Sequence, residues 1–376
     1  MIYVHVPFCQ SRCIYCDFYS TVLSAEYREK YVEKACLEIG QRASELPDAP
    51  LRSVYFGGGT PSLLEPRQLE RLLEAVARHY ALSSDTEITL EGNPDDVTEE
   101  KVGAWRSLGI NRVSLGVQSL HDATLRLLRR RHTASQAVNA VDTLVKGGIE
   151  NVSIDLIYGL PGQSLSQWTE DLDAALRLPV THLSSYALSV EEGTALHAML
   201  QKHRVETADD ELYLSEYELL MDKAREYHFN HYEVSNFALE GHESRHNSGY
   251  WEGVPYVGIG PGAHSYDGCR TRRYNRPDLK EYVAGVNGIP HELEHLSLRE
   301  RFNETVFTAL RTSRGLDVDA LLRTYPREWV DDLREAARSH ISGGRLRYAE
   351  NGRLCLTRSG LFVSDDVMSD FMEVEA

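Results

Sequence analysis

Short apolar strands alternate with longer helices through the first half of this 376-residue chain, and this alternation constrains the fold more than any other feature. Strands that alternate with helices are typical of parallel strands joined by helical crossovers. We therefore predict an α/β fold built on a partial, TIM-like (β/α)6 barrel that is open at one side. The predicted strands are residues 2–6, 53–56, 87–90, 112–117, 152–157 and 182–188. The predicted helices between them are residues 25–43, 66–80, 99–108, 122–128 and 135–146.

Polar or glycine-rich segments follow the predicted strands at the point where each strand ends. GGGTPS follows the second strand, EGNP the third and GVQS the fourth, and Asp155 lies in the fifth. The carboxyl ends of barrel strands meet on one face, where functional residues collect. The sequence therefore predicts a functional site on that face.

Three of the six cysteines lie together directly after the first strand: Cys9, Cys13 and Cys16, with the spacing C-x3-C-x2-C. Thiolates this close bind soft metals or iron–sulfur clusters, because one loop can wrap them around a single inorganic core. Three thiolates would leave one iron of a four-iron cluster open to another ligand. A structural zinc site with His5 or Asp17 is an alternative, although zinc usually takes paired knuckles. Disulfides are not expected, because three close cysteines cannot all pair.

The overall charge and hydropathy exclude several classes of protein. A formal net charge of −17 disfavours nonspecific binding to nucleic acid. No apolar run approaches the roughly 18 residues that a transmembrane helix needs. Met1 leads directly into a strand-like segment rather than into a signal peptide. We expect a cytoplasmic protein without a transmembrane segment, in a reducing compartment that suits cluster-bound thiolates.

The pattern changes near residues 190 and 297, which gives three predicted domains. They are the barrel (1–190), an extension of the barrel that carries HNSGYW (191–296), and a small C-terminal domain (297–376). A helix is predicted over 209–227 in the extension. Helices over 299–311 and 328–342 precede a hairpin at Asn351-Gly352, a typical turn dipeptide. Helices followed by a two-stranded hairpin of this kind resemble a winged helix, a fold that often binds DNA. We interpret this segment as a lid or a protein-interaction element, because it lacks the strong basic excess that DNA binding would need.

Motifs along the whole chain resemble those of one protein family. C-x3-C-x2-C with Tyr15 before the last cysteine is the signature of radical S-adenosylmethionine (SAM) proteins. YVHVPFC, GGGTP, EGNP, GVQS and IDLIYGLPGQ together are similar to the oxygen-independent coproporphyrinogen III oxidase family. Within that family the chain resembles the haem chaperones more than the oxidases. HNSGYW fits the chaperones' HNxxYW motif, and Phe18 stands where the oxidases have a further cysteine.

The resemblance implies a [4Fe–4S] cluster on Cys9, Cys13 and Cys16, with SAM bound through its amino and carboxylate groups to the open iron. Acidic side chains would contact the amine and ribose of SAM, and an arginine would contact its carboxylate. Structural interpretations also stay open, because the acids could be helix caps and Arg130 could belong to the solvated end of a helix. The implied SAM-binding residues are Tyr3, Tyr15, Gly58, Gly59, Thr60, Glu91, Gln118, Arg130 and Asp155.

The resemblance also implies that haem is bound. His246 is then a candidate iron ligand, and Tyr250 and Trp251 offer flat surfaces to the macrocycle. His264 is a second candidate ligand, and a turn with two core aromatics is the structural alternative. The arginines of CRTRRYNR could pair with the haem propionates, but a run of this kind more often forms surface ion pairs.

These expectations favour a haem chaperone that carries a SAM-liganded cluster and delivers haem to haem-requiring proteins. Two alternatives stay open: oxidative decarboxylation of coproporphyrinogen III, and another radical SAM reaction on a tetrapyrrole. Turnover of SAM by the radical SAM scaffold stays open, and coproporphyrinogen III oxidase activity is not expected. The expected partners are haem, haem-accepting proteins that include membrane-associated ones, and an electron donor, either a reductase or a flavodoxin- or ferredoxin-type protein.

Overall fold

The computed structural model describes residues 1–285 and 288–373, and strands and helices alternate in its first half as predicted. Its strands are β1 (Ile2–Val6), β2 (Ser53–Gly58), β3 (Glu87–Gly92), β4 (Arg112–Gln118), β5 (Asn151–Tyr158), β6 (His182–Ala187), β7 (Asn230–Glu233), β8 (Asn236–Ala238), β9 (Val257–Ile259), β10 (His264–Tyr266), β11 (Thr271–Asn275), β12 (His291–His295), β13 (Leu346–Tyr348) and β14 (Leu354–Leu356). Its α-helices are α1 (Ala25–Gln41), α2 (Pro66–His79), α3 (Glu99–Ser107), α4 (Asp122–Leu127), α5 (Ala134–Lys146), α6 (Leu165–Leu176), α7 (Ala195–Gln201), α8 (Asp210–Glu226), α9 (Arg245–Trp251), α10 (Leu279–Ala284), α11 (Leu298–Leu310), α12 (Val318–Leu321), α13 (Arg327–Ser342), α14 (Arg358–Phe362) and α15 (Ser364–Ser369).

The six predicted strands are confirmed as β1 to β6, and each pairs in parallel with the next. They belong to a nine-stranded sheet in the order β7-β8-β6-β5-β4-β3-β2-β1-β9. Because β1 pairs with β9 and β6 pairs with β8, the parallel strands do not close into a complete barrel. The three added strands are absent from the sequence-based prediction, since each is only three or four residues long.

The main core lies between this sheet and the helices that connect its strands. Strand β2 is almost entirely buried, as expected for a strand that is covered on both faces. On α2, Leu69, Leu72 and Val76 are fully buried and recur at helical spacing, so they form one apolar face. This packing fixes the strands, and therefore also the loops at their carboxyl ends.

A second core lies in the C-terminal segment. It gathers Phe302 and Leu310 of α11 with Val330 and Leu333 of α13. The hairpin of β13 and β14 is formed where the sequence predicts it. The predicted domain limits at 190 and 297 stay predictions. Residues 286–287 and 374–376, which belong to the second and third predicted domains, lie outside the described residues.

A buried polar network joins the barrel to its extension. Glu38 of α1 is fully buried, and a buried carboxylate is tolerated only where donors surround it. Its carboxylate accepts hydrogen bonds from Asn275 Nδ2 at 2.7 Å, the Tyr282 hydroxyl at 2.8 Å, the Gly260 amide at 2.9 Å and Arg42 Nη1 at 3.4 Å. These donors hold the extension in a fixed position on α1.

The described α-helices are short, and all of them but α7 carry charged residues. The longest two, α1 and α8, have 17 residues each. Within residues 1–285 and 288–373, none is both long and apolar enough to cross a lipid bilayer.

Candidate functional site

A cavity of about 460 Å³, here termed the cysteine cavity, opens where the parallel strands end. Topology explains its composition, because loops that follow neighbouring parallel strands meet at one edge of the sheet. The cavity brings together eleven of the twelve residues predicted for the cluster and SAM. They are Cys9, Cys13, Tyr15, Cys16, Gly58, Gly59, Thr60, Glu91, Gln118, Arg130 and Asp155.

The cysteine loop is held by donors from outside it. Arg130 Nη1 donates a hydrogen bond to Cys13 Sγ at 3.3 Å, and Thr60 Oγ1 donates to Cys9 Sγ at 3.6 Å. Donors of this kind compensate the negative charge of metal-bound thiolates and orient them. The loop is therefore surrounded by groups that suit cysteine ligands.

The three cysteine side chains line one cavity, and in a four-iron cluster each of three such cysteines binds a different iron. His5 is unsuited to the zinc alternative, since its Nδ1 pairs with the Tyr3 hydroxyl at 3.1 Å and its Nε2 with the Tyr19 carbonyl oxygen at 2.9 Å.

The glycines after β2 are required by packing as well as by their place in the cavity. Gly58 has a φ of +108°, and a Cβ at this position would lie 2.7 Å from the imidazole of His5. A Cβ on Gly59 would lie 2.6 Å from the carbonyl oxygen of Phe8. Glycine therefore lets β1 and the cysteine loop pack against the end of β2.

Two carboxylic acids face the cysteine cavity. Glu91 accepts hydrogen bonds from the Tyr55 hydroxyl at 2.7 Å and the Gly58 amide at 3.1 Å, and Asp155 accepts one from Ser114 Oγ at 3.2 Å. Burial raises the pKa of Glu91 to about 7 and the pKa of Asp155 to about 6. Acids with such pKa values change charge near neutral pH, and a cationic ligand would favour their carboxylate forms.

Two non-glycine residues at this cavity have left-handed backbone conformations, which cost free energy. Gln118 has a φ of +70° at the end of β4, and Arg129 has a φ of +58° just after α4. The turn at Arg129 directs Arg130 into the cavity, where Nη2 donates to Asn93 Oδ1 at 2.6 Å and also to the Gly116 carbonyl oxygen. The Arg130 Nε is buried without a partner in the described residues, which suits an anionic ligand.

Sequence reasoning assigned no role to three other residues of this cavity. Asn93 belongs to the EGNP motif, so its position at a strand end could have indicated it. Ser114 lies within β4 and Tyr186 within β6, and no local pattern distinguishes either from other strand residues. Both line the cysteine cavity because of the sheet topology alone.

A second cavity of about 1,440 Å³, here termed the large cleft, lies between the barrel with its extension and the C-terminal segment. Its volume exceeds the roughly 300–1,000 Å³ of most small-molecule sites. Aromatic side chains cover much of its wall. They include Tyr3, Tyr250, Trp251, Tyr266, Phe307 and Tyr325.

Tyr3 lines the large cleft rather than the cysteine cavity, and its place beside SAM stays a prediction. Tyr3 and His5 are two residues apart in β1 and therefore share one face of the strand. That face turns towards the large cleft, and both residues line it. The Tyr3 ring packs against Tyr55 with 6.1 Å between the ring centroids.

His246 is only 1% exposed, and both of its ring nitrogens have protein partners. Nδ1 pairs with Ser53 Oγ at 2.8 Å, and Nε2 pairs with the Tyr250 hydroxyl at 2.8 Å. Burial lowers the pKa of His246 to about 3, so the ring is neutral. In this arrangement both ring nitrogens are occupied by protein partners, and iron ligation by His246 stays a prediction. The ring is enclosed because α9 packs against β2.

The other residues expected at a haem site do line the large cleft: Tyr250, Trp251 and His264. The His264 side chain is exposed, and no described residue forms a hydrogen bond to its ring nitrogens. Its ring packs edge-on against Tyr274 with 4.5 Å between the centroids. Partial desolvation at the cleft wall lowers the pKa of His264, which favours the neutral imidazole that binds metals.

Asp17 and Phe18, here termed the shared wall, line both cavities. They directly follow Cys16, and the Phe18 side chain is 64% exposed. The next residue, Tyr19, fixes the segment, because its hydroxyl accepts a hydrogen bond from the Leu279 amide at 2.6 Å. A ligand in either cavity would therefore lie beside the same short segment of the cysteine loop.

Known proteins resemble this chain in fold and in sequence pattern. Residues 3–175 match the radical SAM superfamily, and residues 296–363 match the HemN C-terminal domain. The solved structure of coproporphyrinogen III oxidase (HemN) from Escherichia coli superposes with a TM-score of 0.83 at 21% identity, over 98% of this chain and 89% of that one. This similarity establishes a shared fold over nearly the whole chain.

Several relatives are more similar in sequence. Heme chaperone HemW of Bacillus subtilis (strain 168) is 32% identical over 374 residues, which are 98% of each protein. Heme chaperone HemW of Mycobacterium tuberculosis (strain ATCC 25618 / H37Rv) is 36% identical over 373 residues, 98% of this chain and 93% of that protein. The mitochondrial radical S-adenosyl methionine domain-containing protein 1 of Mus musculus is 40% identical over 330 residues, 84% of this chain and 74% of that protein. This chain therefore belongs to the HemW family within the radical SAM superfamily.

Proposed function

We propose that this chain is a haem chaperone, which binds haem in the large cleft, holds a SAM-liganded [4Fe–4S] cluster in the cysteine cavity, and delivers haem to haem-requiring proteins. The observation that carries the proposal is the large cleft, an aromatic cavity that borders the cysteine cavity and contains the exposed His264. Relatives that match nearly the whole chain bear the name heme chaperone, which supports the same activity here.

In the cysteine cavity, Cys9, Cys13 and Cys16 would hold the cluster. The unpartnered Nε of Arg130 would donate to the SAM carboxylate, and Glu91 and Asp155 would accept from its ammonium and ribose hydroxyls. When bound, a reduced cluster supplies an electron for cleavage of SAM. Tyr15 would lie beside the cofactors, and burial raises its pKa, so its hydroxyl stays protonated there.

In the large cleft, His264 would bind the haem iron, and Tyr250 and Trp251 would pack against the macrocycle. Apolar burial would supply most of the affinity, because the porphyrin is a large and mainly apolar plane. His246 would act indirectly, since its hydrogen bond fixes the hydroxyl of Tyr250. It would therefore be a positioning residue rather than an iron ligand.

Coproporphyrinogen III oxidation is the second candidate function. The residues implied for the cluster and SAM, Tyr3 excepted, face one cavity, and catalysis would use the same set. Against it stands Phe18, at the position where, by resemblance, the oxidases have a further cysteine. Another radical SAM reaction on a tetrapyrrole would need the same cavity.

The proposal also defines partners and location. Haem recipients would include membrane-associated proteins, and a reductase or a flavodoxin- or ferredoxin-type protein would supply electrons, all in the cytoplasm. Nucleic acid would not be a partner, because a net charge of −17 repels phosphate.

The test is an anaerobic haem titration of the cluster-reconstituted protein, with protoporphyrinogen and 5′-deoxyadenosine measured in parallel. We expect haem binding at micromolar concentration or below, without conversion of coproporphyrinogen III. His264→Ala should shift the Soret band and weaken haem binding. His295→Ala, on β12 and outside the cleft, is the matched control and should change neither.

His246→Ala separates support of the cleft from iron ligation. It should destabilise the fold by about 2–4 kcal/mol, because it removes a buried ring with two hydrogen bonds. The folded variant should keep the wild-type Soret position. Wild-type protein that fails to bind haem would reject the chaperone proposal, and steady coproporphyrinogen conversion would favour the oxidase. An unshifted Soret band in His264→Ala would move the iron ligand elsewhere.

A further inference from the structure

Most charged side chains of the large cleft neutralise one another. All but one of its acidic residues are in ion pairs, and so are three of its arginines. The pairs are Arg272 with Glu304 at 2.7 Å, Arg276 with Glu292 at 3.5 Å, Arg353 with Asp317 at 3.6 Å, and Glu252 with Arg314 at 3.2 Å. The arginines of the CRTRRYNR run that reach the cleft are therefore already engaged.

Two guanidinium groups of the cleft are not engaged. Arg301 on α11 and Arg323 just after α12 line the cleft, and neither forms an ion pair within residues 1–285 and 288–373. The two segments are tied together, because the Tyr325 hydroxyl donates a hydrogen bond to the Arg301 carbonyl oxygen at 3.1 Å. A guanidinium without an acidic partner is a strong donor for a carboxylate, since its planar fork can make two parallel hydrogen bonds.

The unpaired charges are segregated across the cleft. Arg301 and Arg323 belong to the C-terminal segment, and Arg301 reaches far enough to affect Tyr266 of β10. Burial raises the pKa of Tyr266, and Arg301 opposes that shift. Asp17, on the shared wall, is the cleft acid without an ion pair among the described residues. An anionic group in the cleft is therefore attracted to the C-terminal segment and repelled from the shared wall.

We propose that Arg301 and Arg323 form a carboxylate-binding site that takes the propionates of the tetrapyrrole and so fixes the orientation of its ring. The site rests on the proposed function, because it presumes that haem enters the large cleft. The propionate edge then lies against α11, and the opposite, apolar edge faces the shared wall with Phe18. The C-terminal segment thereby contributes the polar half of the haem site.

The experiment compares haem with its dimethyl ester, in which both carboxylates are blocked. Each is titrated into the full-length wild type, Arg301→Gln, Arg323→Gln and the double variant. Arg327→Gln is the matched control, because its side chain is 83% exposed and lies outside the cleft. Glutamine keeps length and polarity but removes the charge, and circular dichroism checks that each variant folds.

We expect each substitution to weaken haem binding by roughly 3- to 10-fold, and the control to have no effect. The dimethyl ester should bind the wild type more weakly than haem does, and its affinity should not respond to the substitutions. Variants that lose equal affinity for haem and for the ester, or that lose affinity for neither, would overturn the carboxylate site without contradicting haem binding in the cleft. A wild type that binds neither compound would reject the proposed function itself.

Discussion

At the scale of single residues, the ionisation of Glu91 affects both the stability of the fold and the binding of a cationic ligand. Burial raises its pKa from 4.5 to about 7. Between those values the folded protein holds the proton more tightly than the unfolded chain does. Its contribution to stability therefore falls as the pH rises through that window and is lowest above pH 7. The same carboxylate form is the one that attracts a cationic ligand.

We therefore predict that Glu91→Gln stabilises the cofactor-free protein at pH 8 by on the order of 1–2 kcal/mol and weakens SAM binding at least about tenfold. The amide carries no charge to desolvate, and the Tyr55 hydroxyl can turn to accept from it. Thermal melts and calorimetric SAM titrations between pH 5.5 and 8.5 measure both effects. The exposed Glu192→Gln is the control, and a variant that is less stable than wild type at pH 8 would contradict the argument.

The sequence could indicate which residues have reactive chemistry but not always which way they face. The cysteines follow β1, and Glu91 and Asp155 lie in the carboxyl-terminal halves of β3 and β5, so their convergence at one edge of the sheet is predictable from topology. His246 has the same chemical type as an iron ligand, yet the packing of α9 on β2 encloses its ring. That packing joins residues almost 200 positions apart, and no local pattern encodes it.

At the scale of elements, the backbone just after α4 is strained at the residue that precedes a side chain of the cysteine cavity. Arg129 stands where helices often place glycine in the left-handed conformation, and its strain precedes Arg130 in the cysteine cavity. We predict that Arg129→Gly stabilises the fold by about 0.5–1 kcal/mol but weakens SAM binding, because the turn that aims Arg130 becomes flexible. His203→Gly, with a φ of +51° after α7, is the matched control. This control should stabilise the fold by a similar amount without changing the affinity for SAM. Equal SAM affinities in the two variants would contradict the role of Arg129 in aiming Arg130.

The long, periodic elements were predictable, and the short ones were not. Strands β1 to β6 and helix α8 have clear apolar patterns and occur where the sequence predicts them. Strands β7 to β9 contain at most four residues, so the pairing of β7 with β8, of β8 with β6 and of β9 with β1 depends on tertiary placement. The large cleft could not be predicted from the sequence either, because it forms between segments that are distant in sequence.

At the scale of the whole molecule, the net charge of −17 opposes the approach of haem, whose propionates are also anionic. We predict that the association rate of haem rises several-fold between 20 and 200 mM salt, because screening weakens the long-range repulsion. Stopped-flow measurements of the Soret change give this rate, and the ferrous dimethyl ester, which has no net charge, should show little dependence on salt. A haem rate that falls with salt would mean that local attraction by Arg301 and Arg323 dominates over the net charge.

The shared wall would make the proposed haem site depend on the state of the cysteine loop. Phe18 lies two residues after Cys16, so a cluster that fixed Cys16 would also fix one surface of the large cleft. Loss of the cluster would release that surface, and haem and SAM would influence each other's affinity by the same factor in both directions. The chain would then bind haem with full affinity only while its own cluster and SAM are bound.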